Sequence, residues 1–181
     1  MVDGRKKGAA FENEVCRALS IWLCPPPGEG RKSWDTLPVS ALPFRRRFTD
    51  TTPLDGHWEG SGDILHRPGI VCMFSVECKA QQGWELDGAL HNKHWPVWKW
   101  WYQTCTQARR AEKEPLLFFT RNRRPIYAML NRRIAGLLGL YANRVGAVMD
   151  VMLPAAEHYV TICSLKTLVR VCPSQVRALY T

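Results

Sequence analysis

The sequence predicts a single α/β domain, and three observations carry the prediction. A helical apolar stripe opens the chain, runs rich in β-branched and aromatic residues follow in its middle, and helical and strand-like segments then alternate to the end. At 181 residues the chain has room for one domain with a substantial core and too little for two, so residues 1–181 are read as one unit. Hydrophobic residues make up 46% and charged residues 23%, a balance that excludes a disordered chain. No internal repeat or low-complexity tract interrupts it.

The first segment, Gly4–Leu23, places Phe11, Val15, Ala18, Leu19 and Trp22 at three- and four-residue steps, the spacing of one helix face. Pro25, Pro26 and Pro27 end it, since proline lacks the amide a helix needs and restricts the residue before it. Residues 28–62 are polar and aperiodic and read as a long loop with at most a short strand. Asp63, Ile64 and Leu65 look extended, Arg67, Pro68 and Gly69 supply turn chemistry, and residues 70–79 read as a strand, which together predict a β-hairpin. A Trp-rich insertion occupies residues 84–101, and a helix over residues 98–113 stops ahead of Pro115. Residues 116–120 and 126–130 read as strands joined by an Arg-rich turn, 132–141 as a short helix, 159–163 as a strand and 165–171 as a helix.

The 25 Lys and Arg against 16 Asp and Glu leave a formal charge of +9, which draws polyanions and makes nucleic acid the first candidate partner. Lys6, Lys7, Arg45, Arg46, Arg47, Arg121, Arg123 and Arg124 are the candidate phosphate contacts, with solvated surface as the alternative at each. Seven cysteines without a CxxC pair, and no apolar stretch long enough to span a bilayer, predict a reduced cytoplasmic compartment and no membrane partner. Trp95, Trp98, Trp100, Trp101 and Tyr102 either stack on unpaired bases or fill a core or dimer contact, the commoner use of tryptophan.

Strand alternation sends Glu77 and Lys79 to one side and Val76 and Cys78 to the other. Alone, such a pair is satisfied by a solvent-facing salt bridge on an edge strand. Asp63 changes the reading, because the expected hairpin brings its carboxylate beside that of Glu77. Two carboxylates held close repel unless a cation sits between them, and oxygen donors of this kind suit Mg²⁺, with Mn²⁺ as substitute. Lys79 is then placed to orient or deprotonate a water and to offset charge on a phosphate. Those are the parts phosphodiester hydrolysis requires.

Gly60-Ser61-Gly62-Asp63, thirteen residues, then Glu77-Cys78-Lys79 resembles the signature of the PD-(D/E)XK nucleases, without the Pro that can precede the Asp. The resemblance implies a restriction-endonuclease-like core, a mixed sheet flanked by helices, with Asp63, Glu77, Cys78 and Glu12 around the metal. Lys7-Gly8-Ala9-Ala10-Phe11-Glu12-Asn13-Glu14-Val15 is similar to the opening helix of the archaeal-type Holliday junction resolvases: Lys-Gly, three residues, Glu, any residue, Glu, an aliphatic residue. The alignment assigns Glu12 to the site, while helix geometry leaves Glu12 and Glu14 open, both lying at the margins of the apolar stripe. Ser61 stands where that family has a serine that assists the site and contacts nucleic acid. The resemblance runs from about residue 7 to 120, with gaps at the long loop and the Trp-rich segment. It implies a Mg²⁺-dependent homodimeric endonuclease that cuts four-way DNA junctions by paired nicks, acting in the host cytoplasm if a phage encodes it. The rivals are a restriction-like or repair endonuclease of the same superfamily and a non-catalytic nucleic-acid binder. The binder is disfavoured because carboxylates facing DNA gain it nothing.

Overall fold

The most apolar strand of the sequence, β4 (Glu114–Thr120), is buried from Pro115 to Phe119 in the computed structural model of the chain, which describes residues 4–24, 34–47, 58–91, 94–141, 148–153 and 158–171. A strand reads as an unbroken apolar run when both its faces are covered, and β4 is covered on both. It lies second in a five-stranded sheet of order β3-β4-β5-β7-β6, with β3 (Phe74–Ala80) at one edge, then β5 (Tyr127–Asn131), β7 (Tyr159–Ser164) and β6 (Val148–Met152) at the other edge. The β3–β4 pair is parallel and the others antiparallel, so the sheet is mixed. A parallel pair needs a crossover, and here it carries α2 (Gly88–His91) and α3 (Pro96–Arg110).

One face of the sheet presents Phe74, Val76, Cys78, Leu116, Phe118, Ala128 and Leu130 to α1 (Gly4–Leu23), whose Phe11, Val15, Leu19 and Trp22 form the facing stripe. The other face presents Leu117, Phe119, Met129, Val160 and Ile162 to α3 and the residues before it. Trp84, Trp95, Trp98, Trp100 and Trp101 all lie in that second cluster and all are buried. The tryptophans are therefore core, and of the aromatic residues suggested for base stacking only Tyr102 is exposed. At roughly 1.5–3 kcal/mol per large apolar side chain taken from water, they anchor α3 to the sheet.

Short elements complete the domain: α4 (Arg132–Leu137), α5 (Leu165–Leu168), and a two-stranded antiparallel sheet of β1 (Phe44–Arg46) and β2 (Ile64–His66). That small sheet corrects the hairpin expected from the turn at residues 67–69. β2 pairs with β1 and not with β3, and β1 is the short strand that the reading of residues 28–62 allowed. The helix expected at residues 98–113 runs from Pro96 to Arg110, and those expected at 132–141 and 165–171 stop at Leu137 and Leu168. The edge strand β6 was not anticipated.

Candidate active site

What joins Asp63 to Glu77 is a parallel bridge between Gly62 and Val76. The Asp63 amide donates to the Val76 carbonyl at 2.7 Å, and the Val76 amide donates to the Ser61 carbonyl at 3.4 Å. This register sets Asp63 alongside Glu77 as though it belonged to one more strand beyond β3. Gly62 makes the approach possible, with φ at +84° and a position where a Cβ would lie 2.2 Å from the Val76 carbonyl oxygen. The Gly-Ser-Gly-Asp segment thus carries a physical requirement: backbone must touch backbone for the carboxylate to arrive.

Asp63 is fixed further by the Cys78 amide, which donates to its Oδ2 at 2.8 Å. Cys78 itself, placed among the metal contacts from sequence, meets the site through this backbone group. Its thiol points into the α1 face, where burial first and the Asp63 charge second push it well above the ordinary thiol range, so it stays protonated and is no anionic ligand. Glu77 is 1% exposed, and Lys79 Nζ donates to its Oε2 at 3.1 Å. Burial, then the charge of Asp63, raises the Glu77 carboxyl above its ordinary value, and Lys79 opposes the shift.

Glu12 and Glu14 leave α1 on opposite margins of its apolar stripe. Glu12 faces the pair: its carboxyl is raised by burial first and next by Asp63, while Arg46, 3.9 Å away, and Lys79 pull it down. Glu14 instead lines a separate cavity of about 540 Å³ with Thr120, Arg124 and Lys166. Glu12, Asp63, Glu77 and Lys79 thus share one electrostatic neighbourhood, and Glu14 stands outside it.

The other basic candidates separate. Arg46 belongs to the acidic site, Arg45 lies with its guanidinium 4.0 Å from the Trp58 ring centroid, and Arg47 is exposed and donates to the Gly60 carbonyl. Arg121 is engaged with Glu85 and lies over the Trp84 ring, leaving Arg123 and Arg124 as the exposed cations of the β4–β5 turn. Lys7 is exposed, and the side chain of Lys6 lies outside the described residues. The Ser61 hydroxyl is buried without a hydrogen-bond partner among the described residues, not turned outward to DNA. Sequence reasoning passed over Trp58, whose neighbours on the polar stretch gave no periodicity to mark it.

Oxygen donors, a Glu77 carboxyl raised by burial first and the neighbouring Asp63 charge second, and a single lysine at the rim fit a hard divalent cation. Among the described residues no three His, Cys, Asp or Glu side chains form a ready-made cage, and Mg²⁺ requires none, since it takes one or two carboxylates and leaves other positions to water and phosphate. Asp63 and Glu77 would hold it, with Glu12 at its margin. When bound, such an ion supplies a Lewis acid for a phosphate and makes a water acidic near neutral pH. The protein's own contribution is to fix the two carboxylates, exclude bulk water from Glu77, and present the Lys79 ammonium where it can hold a phosphate oxygen or hand a proton to and from water.

A mixed sheet with a Glu-x-Lys on its edge strand, an Asp bridged alongside it, and a Glu arriving from the first helix is the arrangement of a nuclease core of the PD-(D/E)XK class. The family model described as "Phage putative PDDEXK endonuclease" matches residues 3–175, and the chain belongs to that family. No curated protein and no solved structure matches it. No helix among the described residues is long and apolar enough to cross a membrane.

Proposed function

We propose that the chain is a divalent-metal-dependent DNA endonuclease in which Asp63, Glu77 and Glu12 hold the ion and Lys79 acts on the attacking water and the phosphate. The observation that carries this reading is the Asp63–Glu77 pair, held together by a backbone bridge, with Glu77 buried and the Lys79 ammonium 3.1 Å from its Oε2. A protein gains no stability from burying the Glu77 carboxylate beside the half-buried one of Asp63, which favours a chemical role for the pair. Glu77→Gln or Asp63→Asn abolishes cleavage while DNA binding, followed by anisotropy of a labelled duplex, stays intact or tightens through lost repulsion of phosphate. Near-normal turnover in either variant removes the assignment.

Within that class the proposed substrate is the four-way junction, cut by a homodimer. Support comes from the Lys7-Gly8-to-Val15 segment, whose similarity to the resolvases assigns Glu12, the acidic residue of α1 that lies in the electrostatic field of Asp63 and Lys79. Two symmetric nicks across a junction require two sites related by a two-fold axis. Light scattering gives the mass, and cuts mapped on all four labelled strands, with linear duplex as competitor, give the specificity. A monomer that degrades linear DNA as readily as the junction sinks the resolvase reading and leaves the endonuclease one. A repair or restriction-like activity on other DNA is then the alternative.

A further inference from the structure

Beside the acidic site lies a cavity of about 370 Å³ lined by Asn13, Val39, Ser40, Arg45, Arg46 and Trp58. Nothing in the chemistry described above uses it. Its volume lies at the lower end of the range for small-ligand pockets, right for one base or nucleoside and too small for a duplex.

The position is defined by two connections. Asn13 follows Glu12 on α1, and Arg46 both lines the cavity and stands 3.9 Å from the Glu12 carboxylate. The cavity therefore adjoins the acidic site. Its wall is planar and cationic: the Arg45 guanidinium lies 4.0 Å from the Trp58 ring centroid, and Arg67 approaches the same ring at 5.9 Å. Bases taken out of a helix stack on aromatic rings and on guanidinium planes, and this stacking is tolerant of sequence because every base has a π-face. The Arg45 Nε is buried without a hydrogen-bond partner among the described residues, and the guanidinium is held over the Trp58 ring. Asn13 and Ser40 add groups that both donate and accept at the edge of such a base. Arg67, exposed and within reach of the Trp58 ring, is a cation available to a neighbouring phosphate.

We propose that this cavity binds one unpaired DNA base adjacent to the scissile phosphate, so that the protein selects DNA in which a base has left its stack. The proposal rests on the nuclease reading and names the structural feature its substrate must carry. A branch point, a flap or a bulge supplies such a base, whereas an intact linear duplex must first be opened at the cost of unstacking and unpairing.

The test compares a duplex bearing a short single-stranded extension with the same molecule made abasic along that extension, with 5′ and 3′ extensions as separate arms. Affinities are measured by anisotropy in Ca²⁺, and hydrolysis in Mg²⁺ is scored in parallel. Stacking of one base predicts that the wild-type protein prefers the intact extension of at least one polarity by on the order of tenfold. Trp58→Ala and Arg45→Ala should bring the ratio of intact to abasic affinity close to one, while Trp58→Phe, which keeps a ring, and Arg45→Lys, which keeps the charge, guard against loss of fold. Trp58→Phe should retain most of the ratio and Arg45→Lys, lacking the plane, should lose it. Equal wild-type affinities for intact and abasic DNA in both arms overturn the proposal, as does a ratio that survives in folded Trp58→Ala. Because the ratio is read without turnover, a protein that discriminates but never cleaves sinks the nuclease reading alone, and one that cleaves but never discriminates sinks the cavity alone.

Discussion

Gly62→Ala is the sharpest test of how the two carboxylates are brought together. The added Cβ would stand 2.2 Å from the Val76 carbonyl oxygen, 2.9 Å from its carbon and 3.2 Å from Glu77 Oε1, in a backbone held at φ +84°. Ordinary contact begins at 3.4 Å, so the segment must retreat by 3.4 − 2.2 = 1.2 Å, and the obstacle is main chain that no rotamer change can move. Retreat breaks the 2.7 Å bond from the Asp63 amide and loosens the 2.8 Å bond from the Cys78 amide to Asp63. A left-handed alanine costs about 1–2 kcal/mol, and losing one neutral and one charged hydrogen bond adds about 2 kcal/mol or more. The expected loss is about 3–4 kcal/mol of stability by urea unfolding. Because a displacement of about 1 Å at a reacting centre costs on the order of a hundredfold, cleavage should fall at least that far. Gly69→Ala is the internal control: its φ is +80° but nothing lies within 4 Å of the added Cβ, so it should lose only about 1–2 kcal/mol and keep full cleavage activity. Equal destabilisation of the two variants, with normal cleavage in Gly62→Ala, refutes the idea that backbone approach sets the Asp63 position.

Three further outcomes follow from the same geometry. Glu12→Gln should cut the cleavage rate at least tenfold and Glu14→Gln should leave it near wild type, since only Glu12 shares the field of Asp63 and Lys79; a reversed pattern in single-turnover assays would move the fourth acidic position to Glu14. Mg²⁺ or Mn²⁺ should support cleavage and Ca²⁺ binding with little cleavage, because the looser coordination of Ca²⁺ orients water poorly, and full activity in chelator contradicts this. His66 is buried and its pKa is lowered, by burial first, with the Lys113 ammonium 3.4 Å from its Nε2 also disfavouring the charged ring. From pH 7 down through 6.5 the unfolded chain takes up a proton that the folded one refuses, so stability falls on acidification by up to about 1.4 kcal/mol per pH unit from this residue; urea midpoints of His66→Gln should be flatter over that window, and an unchanged slope disproves it.

Most of the fold was legible because its elements obey single periodicities. The stripe of α1 is fixed by Phe11, Val15, Leu19 and Trp22, all buried against one face of the sheet, and the apolar runs of β3, β4 and β5 need no partner to be recognised as strands. β6 escaped because only Val151 of its five residues is buried, while Asp150 turns to Tyr141, Thr161 and Arg132; an edge strand with one buried position has no alternation to read. The short strand allowed for within residues 28–62 could not be placed, because three residues, two of them arginines, make a strand only through β2. The hairpin expectation failed for a related reason: turn chemistry at residues 67–69 is local, and pairing is not, so Pro68 and Gly69 turn the chain without deciding which strand meets which. Asp63 arrives at Glu77 by a different route from the one the turn suggested, and that route has its own mark in the sequence. A glycine just before a carboxylate that must lie against a strand is where backbone has to approach backbone, and Gly62 carries both the positive φ and the missing Cβ that this approach demands. The choice between Glu12 and Glu14 had no such mark, because it depends on which margin of α1 overhangs the edge of the sheet, a relation between elements that appears only once they are packed.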